Sequence, residues 1–89
     1  NGMPPLHRDQ SRPQWTHTFS HHYAHLRAQV EQGARHHFLD AYAATDAAEF
    51  FAVATEYFFC QPHGLYQHHP DLYAQLSRFY DQDPRHRLP

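Results

Sequence analysis

Between Asp46 and Pro62 the sequence carries Phe50, Phe51, Val53, Ala54, Tyr57, Phe58 and Phe59, with Glu49, Thr55, Glu56 and Gln61 as the only polar interruptions. Asp46-x-x-Glu49 is a capping-box arrangement, so the spacing predicts a helix that opens at Asp46 and stops before Pro62. Its apolar side chains occupy most of the circumference, and such a helix is normally buried on several sides. A chain of 89 residues buries only about two-thirds of the surface its unfolded form exposes. The remaining sequence looks too thin to cover this helix, which leads to an expectation of self-association through residues 46–60.

Two further helices are readable. Trp15, Phe19, Tyr23, Leu26 and Val30 recur at intervals of four, four, three and four, which places them on one helical stripe, and Gly33 is a natural stop. A third helix starts at Pro70-Asp71, carries Leu72, Leu76, Phe79 and Tyr80, and ends by Asp83-Pro84. Residues 1–13, with Pro4, Pro5 and Pro13, show no apolar periodicity and read as an extended lead-in. No strand candidate or internal repeat is convincing. The expected architecture is therefore all-α: one partial domain over 1–89, with three helices within 14–89.

Composition narrows the function classes. The chain has eleven histidines, and its seven basic residues are all arginine, for a formal net charge of −2 with neutral histidines. At neutral pH that leaves no basic footprint for nucleic acid. No apolar run of the length needed for a membrane span is present, and Asn1-Gly2-Met3-Pro4-Pro5 lacks the pattern of a secretory leader. A lone cysteine, Cys60, rules out an intrachain disulfide and a cysteine-based zinc cluster. A cytoplasmic location is the resulting expectation. At the end of its helix Cys60 is expected to be a small buried residue, since no Cys-His-acid order can be argued around it.

The chemistry lies in residues 40–59. The segment from Asp40-Ala41-Tyr42 through Asp46-Ala47-Ala48-Glu49-Phe50-Phe51-Ala52 to Glu56-Tyr57-Phe58-Phe59 resembles the C-terminal motif of the Mlc titration factor A family of zinc peptidases. Pro70-Asp71-Leu72-Tyr73 and Phe79-Tyr80-Asp81-Gln82-Asp83-Pro84 resemble that family's ending, so the likeness spans residues 40–84. The Tyr-x6-Glu-Phe-Phe-Ala core is also similar to the metal site of anthrax lethal factor, a more distant gluzincin. What the resemblance implies is the C-terminal subdomain of a zincin-like metallopeptidase that hydrolyses peptide bonds. In such enzymes an H-E-x-x-H helix supplies two histidine ligands and a glutamate base, and a later glutamate completes the zinc site. The likeness puts that third ligand at Glu49 and an oxyanion-stabilising hydroxyl at Tyr42. Three protein ligands leave a coordination position open for water, and a phenol can donate to the charge that develops on the carbonyl oxygen. A transcriptional repressor is a further partner implied by the family.

The same residues have plainer readings. A carboxylate in the first turn of a helix caps backbone amides and suits the helix dipole without any metal. A loop tyrosine ordinarily buries its ring and wets its hydroxyl. Glu56, two turns after Glu49, suits a supporting role at the site and equally a salt bridge. No H-E-x-x-H occurs in the 89 residues, and Ala47 stands where the family often has proline. Alone, the chain is thus expected to be inert. His21 and His25 have the i, i+4 spacing that lets two imidazoles share zinc, but His22 stands where H-E-x-x-H needs glutamate. His36-His37 and His68-His69 add further metal-binding candidates. Two alternatives to the peptidase reading follow: a noncatalytic module that binds a transcriptional repressor, and a histidine-based metal buffer.

Overall fold

The computed structural model of the chain describes residues 5–7 and 9–86. Four α-helices and two 3-10 turns follow one another: α1 (Arg12–Glu31), a 3-10 turn (Ala41–Ala44), α2 (Ala47–Cys60), α3 (Pro62–His68), α4 (Pro70–Tyr80) and a second 3-10 turn (Pro84–His86). No strand occurs among the described residues. The all-α expectation holds, with one helix more than the sequence suggested.

Each helix begins and ends for a local reason. The Ser11 side chain accepts from Gln14 N, and a proline sits in the first turn, so α1 starts at Arg12, inside the expected lead-in of residues 1–13. At its other end Gly33 N donates to Val30 O and Ala34 N to Gln29 O. That is a Schellman closure, and it requires the left-handed backbone that Gly33 adopts at φ +78. α4 closes in the same way on Asp81, at φ 53, since aspartate tolerates this region better than most residues. It therefore ends at Tyr80, short of the Asp83-Pro84 stop read from the sequence.

The unexpected helix is α3. Pro62 halts α2, but a proline is equally suited to the first turn of a new helix, and Gln61 serves both as the C-cap of α2 and the N-cap of α3. Pro62 and Leu65 carry its buried face. Gly64 lets it dock closely on Phe38: a Cβ there would lie 2.7 Å from Phe38 Cζ and would force that ring to shift. The Phe38 ring fills that space, stacked on His68 at 4.6 Å between centroids.

These elements cover α2 on several sides. Phe50, Ala54 and Phe58 are fully buried, and Val53 nearly so. From α1, Phe19 meets Phe50 edge-on, and Trp15 stacks on Phe19 at 4.2 Å. Two turns further along α2, Phe58 contacts Tyr73 and Tyr80 of α4. Leu39 and Ala43 from the segment between α1 and α2, and Leu65 from α3, close the core. The chain is thus not too thin for its apolar helix. Of the seven apolar side chains named above, only Phe59 stays exposed, at 39%, and it is the side chain on which self-association through residues 46–60 would have to build.

A polar contact joins α1 to α4. His22 Nε2 lies 2.8 Å from Asp71 Oδ1, and His22 Nδ1 lies 3.1 Å from His69 Nδ1. Burial, aided by His22, His68 and His25, lowers the His69 pKa from 6.5 to about 4, against the opposing pull of Asp71. The fold therefore binds the neutral ring. Its contribution to stability is complete above pH 6.5 and is lost as the pH falls from 6.5 towards 4. Burial pushes the Asp71 carboxyl upward, but the hydrogen bond and charge of His22 together with backbone amides outweigh it and hold the group below its ordinary value. The Asp71 contribution to stability is also lost in acid, at lower pH still. Metal-free protein is expected to lose urea resistance across this window, and His69→Gln is expected to flatten part of the slope. An unchanged slope in the variant would assign the acid sensitivity to the other histidines.

Among the described residues no helix is long and apolar enough to cross a membrane.

Candidate functional site

Tyr42 and Glu49 meet at the junction between the first 3-10 turn and α2. The turn is built by Asp40, whose carboxylate accepts from Tyr42 N at 2.8 Å while its carbonyl accepts from Ala43 N at 2.9 Å. Ala43 is fully buried and anchors the turn. Its neighbour Tyr42 stands outward, 57% exposed. A packing role for the Tyr42 ring is therefore not what this backbone provides.

Asp46 is extended at φ −162 and ψ 175, and its carboxylate accepts from Glu49 N at 2.9 Å. Half of the expected capping box is thus present. The other half is not made in the usual way, because the Glu49 carboxylate turns to the preceding turn, where Tyr42 Oη donates to Glu49 Oε2 at 3.0 Å. Seven residues apart in sequence, the two sequence-predicted site residues are in direct contact. The hydrogen bond to Glu49, reinforced by that carboxylate's charge, raises the Tyr42 pKa above its ordinary 10.0. At neutral pH the hydroxyl is accordingly a donor.

A cavity of about 320 Å³ opens beside Tyr42, lined also by Asp40, Val53, Glu56, Tyr57, Cys60 and Gln61. Glu56 is exposed on its wall and shares it with Tyr42 rather than with Glu49. Cys60 is exposed as well, contrary to the buried residue expected at the end of the helix. The last turn of α2 turns its side chain towards this cavity and not into the core.

The histidines assemble elsewhere. His21 and His25, the pair with zinc-sharing spacing, lie exposed on α1. The close approach instead joins His22 to His69, 47 residues apart, a pairing that no short-range pattern could reveal. Among the described residues no group of three or more His, Cys, Asp or Glu side chains could hold a metal ion. At the Tyr42–Glu49 pair the chain offers one carboxylate ligand and one hydroxyl donor.

A family model described as glucose-regulated metallo-peptidase M90 matches residues 1–81. The chain belongs to this family. The M90 match extends through the lead-in and α1, well beyond residues 40–84, where the resemblance to Mlc titration factor A was legible. Among curated relatives, a Mlc titration factor A of Serratia proteamaculans (strain 568) is 43% identical over 89 residues, covering 98% of this chain and 33% of the relative. Counterparts from Yersinia pestis (strain Pestoides F) and Yersinia pseudotuberculosis serotype O:1b (strain IP 31758) are each 40% identical over 90 residues, covering 99% of this chain and 33% of their own length. The chain spans about one third of the length of these relatives. No solved structure matches it.

Proposed function

We propose that these residues are the C-terminal portion of a zinc-dependent, cytoplasmic metallopeptidase acting on peptide or protein substrates, in which Glu49 is a zinc ligand and Tyr42 an oxyanion donor. The observation that carries this reading is the 3.0 Å contact from an exposed tyrosine hydroxyl to a first-turn glutamate, in a chain of a metallopeptidase family. A glutamate oxygen is an ordinary zinc donor. One carboxylate does not make a site, so the remaining ligands and the catalytic base come from residues outside these 89. Zinc, when bound, supplies Lewis acidity to a water molecule and to the scissile carbonyl.

The residues of this chain do the rest. Asp46 fixes the first turn of α2 and so the place of Glu49, and Asp40 fixes the turn that carries Tyr42. Glu49 would hold the cation through its carboxylate, and the Tyr42 hydroxyl beside it would be placed to donate to the carbonyl oxygen as negative charge develops there. Its raised pKa keeps the proton in place for that task. The test uses a chimera in which this chain replaces the matching third of the Serratia proteamaculans relative. Glu49→Gln is expected to lower zinc per protein while circular dichroism stays unchanged. Zinc retained at the parent's level would remove Glu49 from the ligand set.

A second reading, a noncatalytic module that binds a transcriptional repressor, is favoured by the relatives' own name, Mlc titration factor A. Outside the Tyr42–Glu49 pair, Phe59 and Tyr66, exposed at 39% and 43%, are large apolar side chains available for such a contact. Repressor binding that survives Glu49→Gln and Tyr42→Phe but is lost on Phe59→Ser would show the two activities to be separable.

A further inference from the structure

We propose that His22 and His69 form a second metal site, a two-histidine site for a borderline divalent cation such as zinc, with Asp71 orienting His22. The site uses none of the residues assigned to peptidase chemistry. Its starting observation is that two imidazole nitrogens from different helices, His22 Nδ1 and His69 Nδ1, lie 3.1 Å apart. Two nitrogens each bound to a tetrahedral zinc at roughly 2.0–2.1 Å are about 3.3–3.4 Å from one another. The rings, 4.8 Å apart at their centroids and 88° between planes, need only turn their lone pairs towards a common point and separate by a few tenths of an ångström.

The tautomer of His22 is already the one a metal requires. Asp71 Oδ1, 2.8 Å from His22 Nε2, accepts the proton of that nitrogen, so in the neutral ring Nδ1 carries the lone pair. A carboxylate behind a ligating histidine is the usual way in which ring orientation and ligand basicity are set at metal sites. In the metal-free protein His69 Nδ1 then donates to His22. To ligate, His69 moves its proton to Nε2, and the cation takes the position the shared proton held. No net proton is released when both rings are neutral.

The surroundings have room for the rest of a coordination shell. His22 and His69 border a cleft of about 560 Å³ that His25, His36, His37 and His68 also line. His25 lies one helical turn from His22 on the same face. No group of three ligating side chains forms among the described residues, so the site is built on two protein ligands, with water completing the shell.

The test is zinc titration of the metal-stripped 89-residue chain at neutral pH by calorimetry, with nitrogen-15 spectra of the histidine rings. One saturable event is expected, with the Nδ1 signals of His22 and His69 shifting on zinc addition. His22→Gln and His69→Gln are each expected to remove that event, and Asp71→Asn to weaken it by about 10–100-fold. His21→Gln and Glu49→Gln are expected to bind as the parent does. The Glu49 arm separates this site from the peptidase reading, because either can fail alone. Zinc that shifts other histidines and leaves His22 and His69 unmoved overturns the proposal, as does undiminished binding in both glutamine variants. Should those variants fail to fold, the ring spectra of the parent and the Asp71→Asn affinity decide.

Discussion

Replacing Tyr42 with phenylalanine, in the chimera that completes the peptidase, is expected to lower turnover by about two to three orders of magnitude, equivalent to roughly 2.7–4 kcal/mol. The hydroxyl is the only group removed, and the exposed ring leaves no cavity behind. Because its acceptor in the substrate is the charge that develops during attack, KM is expected to change little while kcat falls. Zinc content is expected to stay at the parent level, which sets this variant apart from Glu49→Gln. The measurement is steady-state peptide hydrolysis with zinc determined on the same samples. Turnover equal to the parent at full zinc loading would end the catalytic role and leave the hydrogen bond to Glu49 as a local structural contact.

Phe58→Ala is expected to bring the chain close to unfolding. Phe58 is completely buried and lies between α2 and α4, with ring centroids 4.9 Å from Tyr73 and 5.9 Å from Tyr80. Truncating a buried phenylalanine costs about 3–5 kcal/mol, through lost transfer energy and the cavity left behind. For a chain of this size the whole stability is about 4–13 kcal/mol at roughly 0.05–0.15 kcal/mol per residue. The melting temperature is expected to fall by more than about 12 °C, at about 4–8 °C per kcal/mol. The adjacent Phe59, 39% exposed, is the internal control, with an expected cost of about 1 kcal/mol or less for Phe59→Ala. Thermal and urea unfolding of the two variants check this. Equal losses would mean that α2 is not packed on the face described.

Much of the architecture was legible because its signals are local. The four-three-four rhythm of Trp15, Phe19, Tyr23, Leu26 and Val30 needs only the helical repeat, and Gly33 needs only its freedom at positive φ. Asp46 marks the start of α2 through one hydrogen bond to its own first turn. Helix α3 was missed because Pro62 read only as a stop, whereas it also opens the next helix, in which Gly64 makes room for Phe38.

The candidate site divides along the same line. Tyr42 and Glu49 were legible because they lie seven residues apart in a motif that resembles a family's, and their contact is made within one turn and the next. Whether α2 was covered could not be read from α2, because burial is a property of the neighbours: Trp15 and Phe19 from α1, Tyr73 and Tyr80 from α4. The same holds for Cys60, whose exposure depends on which side of the last turn meets solvent. It holds also for the pairing of His22 with His69 rather than of His21 with His25. Helix periodicity, caps and the Tyr42–Glu49 register follow from interactions within a few residues, so the amino-acid order determined them by itself. The cover over the apolar helix and the histidine pair depend on which helix faces meet across long sequence separations, and only the packing of α1 and α4 against the rest decided those.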